Sequence, residues 1–167
     1  MVAVVTHDNR GRKLTTHDHM VRAVRALQRC VRAHARANEA RACAERAVAQ
    51  MRLDTQDAQK PSTCTGDTTD LVAFVGAMDA AADRAAMDAG AMSDCILDQL
   101  AGAQDAVHQL AAWYASWERD GDPGAEEAAA AEDYAKEAEE NAKEAEESRD
   151  LVVAIADSVS GVVSIVA

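Results

Sequence analysis

An all-α fold, an elongated up-down-up bundle of three long antiparallel helices with coiled-coil-like packing, is predicted by three features of the 167-residue sequence. Alanine occupies 39 positions, whereas aromatics make up 3% and there are only 8 glycines and 2 prolines. Alanine has the highest helix propensity and lets helix axes approach closely. Apolar residues recur at three- and four-residue steps along three stretches. Turn chemistry is confined to residues 57–68, with Pro61 and Gly66, and to 120–124, Asp-Gly-Asp-Pro-Gly.

These breaks divide the chain into a flexible N-terminal arm, residues 1–14, and a single helical-bundle domain, 15–167, with helices at about 15–56, 68–119 and 124–166. The first helix starts at Thr15 or Thr16, whose hydroxyl can cap free N–H groups, with Asp18 in the positively polarised first turn. Its expected core stripe is Met20, Val24, Leu27, Val31, Ala35, Ala42 and Ala49, interrupted by Asn38 and Glu45. The second helix carries the most regular stripe: Leu71, Phe74, Val75, Met78, Ala82, Ala85, Ala89, Met92, Ile96, Leu100, Ala103, Val107, Leu110, Tyr114 and Trp117. Its phase survives Gly90, so it reads as one helix of roughly 70 Å. Asp79, Asp83, Asp94, Asp98 and Asp105 form an acidic flank facing water.

The third helix contains a seven-residue repeat, with Ala131, Ala138, Ala145, Val152 and Val159 at one seam position and Tyr134, Asn141, Ser148, Ile155 and Val162 at the other. The valines of 151–167 admit a β-hairpin turning at Ser160-Gly161, but the heptad phase runs through them and favours helix. This stretch also holds Asp157, three serines and Gly161, which argues for a core helix and against a membrane span.

Charge is divided unevenly: residues 1–60 carry 12 Lys and Arg against 6 Asp and Glu, and residues 61–167 carry 5 against 23, giving −12 in total. Arg22, Arg25, Arg29, Arg32 and Arg36 form a stripe on the first helix. An up-down-up order puts them at the level of the glutamates from Glu126 to Glu147 on the third, so pairing across that groove is possible. Such exposed pairs set register or partner choice more than stability. Lys136 and Lys143 follow Glu132 and Glu139 by four residues, the favourable order within a helix.

Few residues suggest chemistry. A hairpin turning midway between Pro61 and Gly66 would bring Cys30 and Cys95 to one level, as neighbouring thiols or as a disulfide. His34, one turn beyond Cys30, could then join them as a metal ligand, but the four cysteines, with Cys43 and Cys64, lack Cys-x-x-Cys spacing, and no metal site is expected. A single Asp105-x-x-His108 step cannot make a di-iron bundle, which needs two such steps and two more inward carboxylates. His17-Asp18-His19 reads as loop or cap. Candidate partner-binding residues are Arg22, Arg25, Arg29, Arg32 and Arg36 of the arginine stripe and Trp113 and Trp117 at the end of the second helix, with Tyr114 and Trp117 plugging the bundle end. Tyr114-Ala-Ser-Trp-Glu118 is similar to the tyrosine-x-x-x-acid pattern of type VII secretion substrates over five residues, without the Trp-x-Gly turn of that family.

No phosphate loop, triad order or nucleophile context is present, and no cofactor is expected. Met1–Thr6 lacks the length of a secretory signal, which places the chain in the cytoplasm, and the arginine, alanine and aspartate content suits a high-GC bacterium. The expected function is therefore a non-enzymatic structural or protein–protein interaction module. It would assemble through its helices with itself, as a dimer or higher homo-oligomer, or with another helical protein. The alternatives are a nucleic-acid-associated accessory protein using the arginine stripe and a helical metal-binding protein.

Overall fold

The structure, a computed structural model, describes residues 15–58, 69–115 and 124–166. It contains three long helices, α1 (Thr16–Ala58), α2 (Thr69–Ala115) and α3 (Ala125–Val166), packed against each other as a bundle, with no strand among the described residues. The arm expected over 1–14 lies outside the described residues. The hairpin alternative for 151–167 is overturned, because α3 continues through Val166.

α1 and α3 begin where their sequences satisfy free amides. Thr15 Oγ1 accepts a hydrogen bond from the Asp18 amide at 3.2 Å while Asp18 Oδ2 accepts one from the Thr15 amide at 2.9 Å, a reciprocal capping box. At the start of α3 the Ala128 amide donates to the Gly124 carbonyl at 2.9 Å, with Glu126 and Glu127 in the first turn. Gly124 has φ +111°, a conformation that side chains rarely adopt.

Contacts gather the chain into two units, each holding a piece of every helix: Met1–Ala35 with Asp94–Ala142, and Arg36–Ser93 with Lys143–Ala167. In the first unit α1 buries His19, Ala23, Ala26, Cys30 and Ala33. Against these lie Ile96, Ala103, Ala106 and Leu110 of α2 and Ala128, Ala131, Ala135, Ala138 and Ala142 of α3. In the second unit the core grows larger side chains: Ala44, Val48, Met51, Ala82, Ala85, Val152 and Val159 form one cluster, with Val75, Met78, Ile155 and Val163 packed on it.

The stripe expected on α1 is incorrect. Val24, Val31, Ala35, Ala42 and Ala49 are exposed and Met20 and Leu27 half-buried, while the core row is 19, 23, 26, 30, 33, 37, 40 and 44. That row keeps the alternation of three- and four-residue steps without a charged or amide residue in it, which the valine row cannot do past Asn38 and Glu45. Asn38 lies beside the seam and accepts a 2.6 Å hydrogen bond from the buried Ser93 hydroxyl, so this polar seam residue is satisfied.

His19, read as a cap or loop residue, is fully buried. On α2 the stripe holds in part: Ala82, Ala85, Ala89, Ile96, Ala103 and Leu110 are buried together with Ser93 and Ala106. Val75, Met78, Met92, Leu100 and Val107 are half-buried, Phe74 is exposed, and the Leu71, Tyr114 and Trp117 side chains lie outside the described residues. On α3 the first seam row is fully buried, but the second is displaced by one residue: Ala135 and Ala142 are buried in place of Tyr134 and Asn141. The Tyr134 ring instead covers Gly102 of α2, filling the space a Cβ there would take.

Candidate interaction surface

The arginines of α1 divide into two sets. In the first unit Arg22 donates to Glu132 through Nε at 2.9 Å and Nη2 at 2.7 Å, and Arg29 to Glu139 at 2.8 and 2.5 Å. In the second unit Arg36 donates to Glu146 at 2.9 and 2.7 Å. Every pair spans 110 residues, because both helices repeat at seven. Planar, bidentate guanidinium–carboxylate bonds of this kind carry geometric specificity as well as energy. Hydrogen bonding to Glu132 and Glu139 raises Arg22 and Arg29 above the ordinary arginine range, and Arg36 holds Glu146 below the usual carboxylate range.

Arg22, Arg29 and Arg36, read from sequence as partner-binding, are thus engaged within the chain, whereas Arg25 and Arg32 are exposed and form no ion pair among the described residues. Because Glu132 and Glu139 turn to α1, the lysines choose other partners: Lys136 pairs with Glu140 at 3.9 Å and Lys143 with Glu147 at 3.2 Å. The aspartate flank of α2 is not wholly solvated either, since Arg52 bridges Asp79, at 2.7 Å, and Asp83.

The two thiols are not joined as a disulfide. Cys30 and Cys95 are both free, the first buried and the second exposed. Level-matching from the loop also fails where it can be measured: in the second unit Asn38 meets Ser93 and Arg52 meets Asp79, six residues beyond the register expected. Burial pushes the Cys30 thiol up, favouring its inert protonated form. His34 is half-buried, and Cys95 is exposed to solvent. Among the described residues no group of three or more His, Cys, Asp or Glu side chains could hold a metal ion. No described helix is long and apolar enough to cross a membrane. Trp117 lies outside the described residues, and Trp113 belongs to α2.

What sequence reasoning misses is that larger apolar residues are left at the surface, among them Val24, Val31 and Leu97 in the first unit and Leu53, Val72, Phe74, Met87 and Leu151 in the second. The signal was present in the unbroken alanine row of α1, which claims the core and leaves the valines outside. No family model matches the chain, and no curated protein or solved structure is similar to it.

Proposed function

We propose that the protein is a non-enzymatic structural or protein–protein interaction module that assembles through its long helices, as a dimer or larger homo-oligomer or with another helical protein. The observation that carries this reading is the inversion of side-chain size on α1 between residues 23 and 44, where alanine and cysteine fill the core while Val24 and Val31 remain 36% and 51% exposed. β-Branched residues lower helix propensity and gain nothing in water. Covered by a partner, each such side chain contributes on the order of 1–2 kcal/mol.

Light scattering coupled to size-exclusion chromatography tests the homo-oligomeric form. A mass at least twice that of the 17.7 kDa chain is expected; one chain per particle at every concentration overturns it. The nucleic-acid reading has weaker support, because three of five arginines already face carboxylates and the surrounding charge repels a polyanion. A low-salt gel shift abolished by Arg25→Glu with Arg32→Glu would restore it.

A further inference from the structure

Resting on that reading, we propose that a second copy of this chain docks on the face that α1 and α2 form in the first unit, about a two-fold axis parallel to the helices. On α1 the residues Val24, Gln28, Val31 and Ala35, at steps of four, three and four, are all exposed. On α2 Leu97, Ala101 and Gln104 repeat the pattern and are exposed too. Both rows turn away from α3. Arg22, which bonds α3, stands two residues from Val24, and Gln99, which accepts from Asn141 of α3 at 3.1 Å, stands two residues from Leu97. Two residues is a rotation of roughly 200° about a helix.

Each row carries charge on one edge, one residue on and seven apart: Arg25 and Arg32 on α1, Asp98 and Asp105 on α2, all exposed. The unit's own register relates them. A Cβ added to Gly124 would meet Leu110 of α2 and lie 3.6 Å from the His19 Cβ of α1, so His19 and Leu110 share a level and their numbers total 129. Arg25 with Asp105, and Arg32 with Asp98, each total 130 and therefore also share levels. Within one chain these side chains occupy edges of different helices and do not pair.

A dyad parallel to the helices preserves level and lays α1 of one copy antiparallel on α2 of the other. Equivalent edges then face each other, as e positions do in antiparallel coiled coils. Arg25 thus meets Asp105 of the second copy and Arg32 meets Asp98, each twice by symmetry, around a centre of Val24, Val31 and Leu97. Pairing α1 with α1 would instead set arginine against arginine, so the charge pattern selects one arrangement and opposes the other.

Sedimentation equilibrium on the full chain tests this, with helicity by circular dichroism as the folding control. Arg25→Glu with Arg32→Glu, and separately Asp98→Arg with Asp105→Arg, are each expected to weaken the dimer on the order of a hundredfold by turning four attractive contacts repulsive. Mixing the two variants restores a one-to-one dimer, because all four contacts are again of opposite sign, and so does placing all four substitutions in one chain. A wild-type dimer indifferent to both reversals, or reversals that the mixture and the fourfold variant fail to rescue, overturns this interface while leaving assembly through the helices standing. A monomeric wild type overturns both. Should either double variant lose its helicity, the fourfold variant alone decides: a folded dimer supports the interface and a folded monomer overturns it.

Discussion

At the scale of single residues, the stringent position is Gly124. Its φ of +111° suits glycine, and an added methyl group would collide with the fully buried Leu110. Gly124→Ala is therefore expected to lower stability by about 1–3 kcal/mol in chemical denaturation. Gly161 is the reverse case: it lies inside α3 with open space where an added methyl group would point, so Gly161→Ala should raise stability by up to about 1 kcal/mol. Glu146 supplies a pH test. Arg36 lowers its pKa, so the pair stabilises the folded chain above the ordinary carboxylate range and the contribution is lost as pH falls through the lowered value. Glu146→Gln should cost about 0–1 kcal/mol at neutral pH, since both side chains are partly solvated, and match the wild type once the pH has fallen below that lowered value.

At the scale of the helix, continuity of a small-residue row outweighs side-chain size in deciding what is buried. α2 was legible between Ala82 and Leu110 because one row there holds both small and large apolar residues, with Ile96 and Leu110 among the alanines. α1 was not, since its larger residues and its alanines form competing rows, and only the alanine row extends unbroken from residue 23 to 44. On α3 the alternation of three and four left two choices for the second row. Close approach of the axes settles it in favour of Ala135 and Ala142, which are small enough to lie between helices where Tyr134 is not. Two substitutions check this: Ala33→Leu should destabilise by about 1–3 kcal/mol through overpacking, whereas Val31→Ala should change monomer stability by less than about 0.5 kcal/mol.

At the scale of the whole chain, the division of charge was the feature of the candidate site most readable in advance. The up-down-up order put the whole stripe from Arg22 to Arg36 at the level of the glutamates from Glu126 to Glu147 without singling out pairs. The structure selects Arg22, Arg29 and Arg36, which bond Glu132, Glu139 and Glu146. Converting the three glutamates to arginine should destabilise the fold by a few kcal/mol, roughly 1 for each contact made repulsive, and converting the three arginines to glutamate in the same chain should recover most of the loss in thermal melts. Partner-facing residues were harder to read. Surface apolar groups announce themselves only once the core row is assigned, and a sequence offering two rows on one helix leaves that assignment to packing. Cys30, sealed beneath α1, and Cys95, open to solvent on α2, consequently make a natural pair of chemical clocks. A maleimide reagent should modify the outer sulfur at once and the inner one only during transient separations of the helices, so that its slower labelling rate measures how often they breathe.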